Sequence, residues 1–338
     1  MTCSDGGPDG APRHAAPPTA LAALALLACV TGCRTSTSDA PAPAPAKTSP
    51  WPRTFTDAEQ ASTTLEAPPQ RIASLSPAIT EMVFVLEAGG RLVGVTEYCD
   101  YPPQAKQLPT VGAYTGFSLE RVLSLKPDLV LGMRGTAKEA ISGLRQAGVP
   151  VLVYDPVSVG DVLDLMDLLA GIVGDEGAGN EAVRQLRARV EGVQAEAAQL
   201  PRRPRVLCAV QIEPLFAAGP DNHIDDMIRL AGGENAAGDA DVPWPQYSLE
   251  RMLQKDPEVI LVPQGYMGDA EGEAQKTLRS SKAWSGTTAV KRGAVVEIPD
   301  DLITLPGPRI VEGLGMMAKA VRDAATAEAS EADESARQ

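Results

Sequence analysis

The sequence predicts an α/β protein with two similar lobes, each built around a parallel sheet. Residues 117–131 (FSLERVLSLKPDLVL) reappear without a gap as residues 247–261 (YSLERMLQKDPEVIL). A strand segment, a helical segment and a Gly-Gly pair precede each copy, beginning at residue 71 and again at residue 205. The distance between the copies is far longer than a solenoid period and favours two lobes over a stacked array. Strands that alternate with helices in this order are typical of parallel sheets.

Each copy of the repeated segment predicts a short helix followed by a buried strand. An aromatic residue leads into Ser118 or Ser248, whose hydroxyl can cap the helix by accepting a backbone N–H. Glu120 and Glu250 then fall in the first helical turn, where the helix dipole favours negative charge. A proline ends each helix, and the apolar run that follows has the length of a strand.

The other elements follow from apolar runs and from glycines and prolines. First-lobe helices are predicted to begin near Pro77, Ser118 and Ala137, with strands at residues 72–75, 92–96, 129–131 and 151–154. Second-lobe strands are predicted at residues 206–210, 259–262 and 295–298, and a small hairpin between residues 55 and 69. The two Gly-Gly pairs lack a dinucleotide-binding fingerprint and are interpreted as helix caps.

An apolar stripe lies between the two lobes. Its members recur at spacings of three and four and predict a helix over about residues 181–200. They are Val183, Leu186, Val190, Val193, Ala197 and Leu200. At ~1.5 Å per residue the helix would be roughly 30 Å long, about the width of a domain. Two interpretations stay open: a rigid helix that joins the lobes and permits little closing motion, or a helix packed inside one lobe.

The N-terminal region has the pattern of a secretory leader. Residues 19–30 form an apolar run that is too short to span a bilayer but suits a signal peptide. The run ends in Val-Thr-Gly-Cys, which resembles the bacterial lipobox, so Cys33 is predicted to carry the lipid and to become the mature N-terminus. The alternative is an ordinary signal peptide in which Cys33 is incidental. Pro-Ala repeats at residues 41–46 predict an extended tether.

These patterns predict six regions. They are a lipoprotein signal peptide (1–32), a Pro/Ala-rich tether (33–52), an N-terminal α/β lobe (53–158), an inter-lobe helical region (159–203), a C-terminal α/β lobe (204–322) and a disordered tail (323–338). The protein is then a membrane-anchored lipoprotein of the cell envelope that faces the periplasm or the extracellular side. Cys99 and Cys208 remain after processing, and a disulfide between them is not favoured because they lie in different lobes.

The chain is poorly equipped for catalysis. It contains no GxSxG, P-loop or HExxH motif and no Cys/His cluster, so no catalytic residue and no metal site are predicted. Of two histidines only His223 survives processing, and it is expected to be a surface or capping residue at a helix start. The formal charge of −14 argues against nucleic acid and anionic membranes as partners. A remote alternative is a two-lobed metal-chelate enzyme, whose candidate groups are Asp100, Asp155 and Asp301.

The few aromatic residues concentrate in predicted loops that follow strands. The candidate ligand-binding aromatics are Tyr98, Tyr114, Phe216 and Trp244. Trp244 stands between Pro243 and Pro245, which fix the backbone and hold the ring at low entropic cost. Ligands of open α/β sheets bind beyond the carboxyl ends of the strands, where these loops would lie. The alternative is that each ring fills a local core.

Several short motifs recur in a known family of proteins. In the first lobe they are SLSPAITE at 74–81, DYPP at 100–103, LER at 119–121 and KPDLV at 126–130, and in the second lobe GGEN at 232–235 and VPWPQ at 242–246. The first-lobe motifs resemble those of the periplasmic binding proteins of vitamin B12, siderophore and haem ABC importers, and the second-lobe motifs resemble the vitamin B12-binding members in particular. The resemblance implies a class III periplasmic-binding-protein-like fold, in which a single long backbone helix joins two α/β lobes and the ligand lies in the cleft.

The resemblance also implies residue roles. The four aromatic residues would surround a corrinoid (cobalamin), and Asp301 would hydrogen-bond its amides. Glu120 and Glu250 would dock onto arginines of an ABC importer permease dimer, whereas their spacing alone is also consistent with solvated helix starts. The protein would be a monomer that carries a ligand rather than a cofactor.

The sequence departs from the B12-binding pattern in three places. Met133 and Tyr114 stand where the pattern often has Trp, and Leu305 where it often has a polar basic residue. These changes remove stacking surface and a donor, so the ligand could be a precursor such as cobinamide. A ferric siderophore or haem carried by the same fold is the alternative. A siderophore would need basic groups, for which Arg134, Arg309 and Lys106 are candidates, and haem would need an axial Tyr or His.

Overall fold

The computed structural model describes residues 51–113, 116–173, 176–265 and 273–336. The strands in these ranges are β1 (Arg53–Thr56), β2 (Ser62–Leu65), β3 (Ile72–Ser74), β4 (Leu92–Gly94), β5 (Gly112–Ala113), β6 (Gly116–Phe117), β7 (Leu129–Met133), β8 (Val151–Tyr154), β9 (Arg205–Gln211), β10 (Phe216–Ala217), β11 (Glu234–Asn235), β12 (Val259–Gln264) and β13 (Val295–Pro299). The helices are α1 (Pro77–Val85), α2 (Leu119–Ser124), α3 (Lys138–Gln146), α4 (Val159–Val173), α5 (Glu176–Ala197), α6 (His223–Leu230), α7 (Leu249–Lys255), α8 (Glu273–Ser280), α9 (Thr288–Arg292) and α10 (Ile310–Ala336).

Two sheets of parallel strands form the centres of the two lobes. The first has the order β4-β3-β7-β8, and all of its pairs are parallel. The second has β9, β12 and β13 in parallel, with β11 parallel and β10 antiparallel to β9. In both sheets the strand of the repeated segment, β7 or β12, lies between the lobe's first and last parallel strands. The predicted two-lobed α/β fold is therefore confirmed.

The repeated segment folds the same way twice. Its copies form α2 with β7 and α7 with β12. The hydroxyl of Ser118 accepts the backbone N–H of Arg121, and that of Ser248 accepts the N–H of Arg251. The predicted Ser caps are confirmed in both lobes. The predicted hairpin is also present, as the antiparallel pair β1 and β2.

One hydrophobic core runs through both lobes. It includes Leu129 and Leu131 of the first sheet and Val259 and Leu261 of the second, together with residues of α1, α4, α6 and α10. Separate clusters cover the opposite face of each sheet. Because the inner faces share a core, the lobes are packed against each other as well as linked by the chain.

The predicted backbone helix is α5, and α4 precedes it within the region 159–203 that the sequence predicts to be helical. The 22 residues of α5 span about 33 Å. At its start Gly179 approaches the first lobe so closely that a Cβ there would lie 2.9 Å from Leu86 Cδ2. Near its end Ala197 Cβ lies 3.1 Å from the Cβ position of Gly232 in the second lobe. The helix therefore joins the lobes and is not packed inside one of them.

The structure of the C-terminal tail differs from the prediction. Residues 323–338 were predicted to be disordered, but α10 continues to Ala336. The Ala- and Glu-rich composition favours helix, Ala325 is buried, and Lys319 binds Asp323 one turn away at 2.7 Å. Cys99 and Cys208 are buried and free. Throughout the described ranges, the helices fall short of the combined length and hydropathy that crossing a membrane requires. The predicted signal peptide and Cys33 lie outside the described residues.

Candidate ligand-binding cleft

A cavity of about 690 Å³ lies between the two lobes. The first lobe contributes Ser76, Pro77, Tyr98, Met133, Arg134, Tyr154, Asp155, Pro156 and Val157. The second contributes Asp221, Asn222, His223, Pro243, Trp244, Thr304, Leu305 and Pro306. Met133 and Tyr154 are the last residues of β7 and β8. The cavity thus lies at the carboxyl ends of parallel strands, the usual place of a ligand in an open α/β sheet, and its volume suits a small-molecule ligand.

Each lobe presents the start of one helix to the cavity. Ser76 and Pro77 begin α1, and Asn222 and His223 begin α6. The Asn222 side-chain oxygen accepts two backbone N–H groups of the first turn, and its nitrogen donates to Pro243 O at 2.9 Å. This side chain therefore ties the helix start to the loop that carries the candidate Trp.

The Trp244 loop is held close to the second lobe. Gly219 N donates to Pro243 O at 2.9 Å, and a Cβ on Gly219 would lie 2.5 Å from Val242 O. A residue with a side chain at 219 would push the loop away. Trp244 itself is about half exposed and lines the cavity, so the loop is fixed while the ring stays open to a ligand.

His223 is buried beneath Trp244, which corrects the expectation of a surface or capping residue. Its Nε2 donates to Ile303 O at 3.0 Å, and its ring centroid lies 6.0 Å from that of Trp244. Burial lowers the pKa of His223 to about 4, against the opposing effect of the carbonyls of Ile303 and Thr304. The imidazole is therefore neutral at neutral pH and forms an uncharged floor of the cavity.

The structure brings together two of the four candidate aromatics. Tyr98 from the first lobe and Trp244 from the second both line the cavity and are exposed. Phe216 is half-buried in β10, pairs with Gln246 and is not among the lining residues. Tyr114 lies outside the described residues. Met133 and Leu305, the two described departures from the B12-binding pattern, both line the cavity.

Asp301 takes part in a network that joins the lobes beside the cavity. It lies in a 3-10 turn (Asp300–Leu302), and its Oδ2 is 2.5 Å from Arg309 Nη1. Arg309 also donates to the Glu81 carboxylate at 3.0 and 2.6 Å and lies 3.9 Å from the Tyr101 ring centroid. Burial raises the pKa of Glu81, and the hydrogen bonds and charge of Arg309 oppose that shift. Asp301 is not among the lining residues.

The three basic residues that the sequence offers to an anionic ligand are either paired with carboxylates or lie outside the cavity lining. Arg134 Nε lies 2.5 Å from Asp155 Oδ2, and both residues line the cavity. Arg309 is held by two carboxylates, and Lys106 is not among the lining residues. Within the described ranges no group of His, Cys, Asp and Glu could hold a metal ion. The cavity wall thus offers aromatic surface, the paired charges of Arg134 and Asp155, and the further carboxylate of Asp221.

The candidate docking glutamates stand at equivalent helix starts, one in each lobe. Glu120 and Glu250 are both exposed in the first turns of α2 and α7. Their only hydrogen bonds among the described residues are to Ser118 Oγ at 3.3 Å and Gln254 Nε2 at 3.5 Å. Both carboxylates are therefore open to a partner.

Sequence reasoning missed the helix-start residues of the cavity, Asn222 and His223. A usable signal was present, because the first lobe's Ser-Pro pair at 76–77 and the Asn-His pair occupy the same place in the repeated order of strand and helix. If one of these two pairs is assigned to the cleft, the other is expected there as well.

Comparison with known proteins agrees with this architecture. The family described as Periplasmic binding protein matches residues 72–302, and the chain belongs to that family. The ABC transporter substrate-binding lipoprotein YvrC of Bacillus subtilis is 29% identical over 89% of this chain and 95% of its own length. The vitamin B12-binding protein of Salmonella typhimurium is 32% identical over 71% of this chain and 86% of its own.

Solved structures of the same architecture bind different ligands. The periplasmic vitamin B12-binding protein of Vibrio cholerae aligns with a TM-score of 0.66 and 26% identity, over 76% of this chain and 98% of its own. The periplasmic haem-binding protein RhuT of Roseiflexus aligns with a TM-score of 0.65 and 30% identity, over 76% and 99%. The chain is a periplasmic or extracellular solute-binding protein of the B12, haem and siderophore type. It carries a transported ligand for an ABC importer permease and is not an enzyme.

Proposed function

We propose that the protein captures a corrinoid, cobalamin in the first place, in the cleft between the lobes and delivers it to the permease dimer of an ABC importer. The observation that carries the proposal is the pair of exposed rings, Tyr98 and Trp244, that line one cavity from opposite lobes. A planar macrocycle gains dispersion and apolar burial against such rings, and a rigid Trp loop lowers the entropic cost of binding.

The charge of the cavity favours a corrinoid over an anionic chelate. The Arg134 guanidinium lies against Asp155, and Arg309 is held by Glu81 and Asp301. A ferric siderophore, which is usually anionic, would have to displace one of these carboxylates. A corrinoid carries mostly neutral amides at its edge, which need hydrogen-bonding groups rather than net positive charge. We propose that Phe216 and Asp301 contact the periphery of a ligand that extends beyond the cavity, and, from the family resemblance alone, that Tyr114 also contacts the ligand.

The B12-binding protein of Salmonella typhimurium, 32% identical, supports this ligand class. Haem is the second candidate, because the exposed phenol of Tyr98 at the cavity is suited to coordinate ferric iron. The 30% identity to a haem-binding protein supports that alternative. The two candidates differ in what they need from Tyr98: haem needs its oxygen, whereas a corrinoid needs only its ring.

We also propose that residues 1–32 are a signal peptide, that Cys33 carries the lipid anchor and that residues 33–52 form the tether. The lobes then extend over 53–158 and 204–322 on either side of the helical region 159–203, in a monomer that docks through Glu120 and Glu250. The name of YvrC, a substrate-binding lipoprotein, supports the anchor. Mass spectrometry of the envelope-purified chain tests it, since Cys33→Ser would abolish lipidation.

The direct test is a titration of the soluble fragment 47–338 with cyanocobalamin, cobinamide, haemin and a ferric hydroxamate, followed by heat and by Trp fluorescence. We expect saturable one-to-one binding of a corrinoid, about tenfold to a hundredfold weaker in Trp244→Ala because roughly 1.5 to 3 kcal/mol of stacking and burial is lost. Trp51→Phe, on the hairpin side of the first lobe, is the control and should bind normally. Tyr98→Phe separates the candidates, because only haemin binding would need the hydroxyl. Binding of haemin without either corrinoid would overturn the proposal.

A further inference from the structure

One carboxylate of the cavity wall has no partner within the described ranges. Asp221 is exposed and lines the cavity, and no described residue forms a hydrogen bond or an ion pair with its side chain. The next residue, Asn222, differs, because its side-chain oxygen and nitrogen are both bonded to the backbone of the second lobe. Asp221 has a φ of 58°, in the left-handed region that Asp adopts more readily than most residues. The chain thus places an open carboxylate on the cavity wall.

The rest of the second-lobe wall is uncharged. His223 is neutral at neutral pH, since burial lowers its pKa to about 4, so it does not neutralise Asp221. Leu305 lines the cavity at the position where the B12-binding pattern often has a basic residue. The remaining residues of this wall are Asn222, Pro243, Trp244, Thr304 and Pro306. Among the described second-lobe residues that line the cavity, Asp221 therefore carries the only charge.

The first-lobe wall adds no net charge to the lining. Its charged residues are Arg134 and Asp155, whose Nε and Oδ2 atoms lie 2.5 Å apart. With Asp221 the described lining residues carry one positive and two negative charges, a net charge of −1. An anionic group that enters the cavity loses hydration and meets no excess of cations there. The lining therefore opposes ligands with carboxylates at their edge and favours N–H donors, whose hydrogen bonds a carboxylate accepts.

We propose that Asp221 is a specificity-determining residue that admits corrinoids with amides at the macrocycle edge and rejects macrocycles with carboxylates there. The inference rests on the proposed function, because it concerns which ligands of that class the same cleft retains. An amide N–H donates to the Asp221 carboxylate, whereas a ligand carboxylate meets it with like charge. Like charges at contact distance repel more strongly in a partly enclosed cavity than in water. Selection thus comes from repulsion of the acidic ligand as well as from attraction of the amide.

The test is a titration of the full-length chain with cobinamide, which carries amides at its edge, and with cobyrinic acid, which carries carboxylates in their place. The measured quantity is the ratio of the two dissociation constants at neutral pH and constant ionic strength. We expect the wild type to bind cobinamide roughly a hundredfold more tightly, and Asp221→Asn to reduce this preference about tenfold, mainly through tighter binding of cobyrinic acid. Asp221→Gly, which suits the left-handed backbone, should reduce the preference to a similar extent. Retained binding of cobinamide shows that both variants fold.

Glu87→Gln is the matched control for charge and backbone. Glu87 is also exposed and also has a φ of 58°, but it follows α1 and is not a lining residue. The variant removes the same unit of negative charge from a chain whose formal charge is −14. It should leave the preference for cobinamide within about twofold of the wild-type value, because repulsion by the whole chain is nearly unchanged.

Three results would overturn the inference. Equal affinities of the wild type for cobinamide and cobyrinic acid would show that the cavity does not select by edge charge, and the proposed function would stand. A wild-type preference that persists in both Asp221 variants would assign the selection to another group. Failure of the wild type to bind cobinamide and cyanocobalamin, together with binding of haemin, would sink the proposed function as well.

Discussion

The two copies of the repeated segment build the same junction between helix and strand. In the first lobe the Asp128 carboxylate accepts the backbone N–H of Arg71 at 2.9 Å, and in the second Glu258 accepts that of Arg205 at 3.0 Å. Each of these arginines also donates to backbone carbonyls at the end of the Ser-capped helix. The same hydrogen bonds therefore recur in both lobes, and each joins the repeated segment to an arginine that lies 57 or 53 positions earlier in the chain.

The surroundings of the two junctions differ. Asp128 is exposed, whereas only 2% of Glu258 is exposed. Around Glu258 a further cation is added: Arg202 Nη1 lies 2.5 Å from Oε1, and Arg202 Nη2 donates to Ala324 O of α10 at 2.7 Å. The long C-terminal helix thus helps to enclose in the second lobe a carboxylate that the first lobe leaves in water. Asp128 and Glu258 occupy equivalent positions in the sequence but differ in burial and in the number of their partners.

The largest effect should come from deleting these carboxylates. Glu258→Ala should lower the free energy of unfolding by about 3 kcal/mol, because it leaves two partly buried guanidinium groups without their shared partner. Asp128→Ala should cost only about 1 kcal/mol, since water can replace an exposed acceptor. Urea unfolding of the two variants measures both values.

Glu258→Gln is the matched control for shape, because it keeps the size of the side chain and one of its two acceptor oxygens but removes the charge. Its cost should lie between those of the wild type and the Ala variant. Equal costs for Glu258→Ala and Asp128→Ala would contradict the claim that burial separates the two junctions.

The second difference lies at the helix starts that face the cavity. The first lobe places Pro77 there, which cannot titrate, and the second places buried His223. In the unfolded chain the pKa of His223 is near 6.5, and in the folded chain burial lowers it to about 4. Between these values the unfolded state binds more protons, so stability falls as pH falls, by up to about 3 kcal/mol.

The contribution of His223 to the pH dependence of stability can be measured separately. In fragment 47–338 His223 is the only histidine, so its imidazole titration by NMR needs no assignment. We expect His223→Gln to flatten the stability profile between pH 6.5 and about 4 while leaving the profile above pH 7 unchanged. A folded-state midpoint near 6.5 would show that the ring is not buried as described, and the slope would then persist in the variant.

These comparisons show which features could be read from the sequence. Strands and Ser-capped helices depend on neighbouring residues, so the strand pattern and both caps were predicted within a few positions. The setting of His223 depends on Ile303, and the partner of Arg309 is Glu81, 228 positions away. Such contacts arise only when the lobes pack together, and no local pattern carries them. Likewise the helical tail lacks the flanking signals that mark the repeated segment, and α4 was predicted only as part of the helical region 159–203.

The smallest predicted effect concerns the two serine caps, whose hydrogen bonds lie within the repeated segment. Ser118 Oγ accepts Arg121 N at 3.2 Å, and Ser248 Oγ accepts Arg251 N at 3.4 Å. Ser118→Ala and Ser248→Ala should each lower the free energy of unfolding by about 1 kcal/mol, because each leaves one N–H of a first helical turn without its acceptor. Ser118→Asp and Ser248→Asp should restore the cap and most of the loss. Unequal losses in urea unfolding would contradict the claim that neighbouring residues alone determine the two caps.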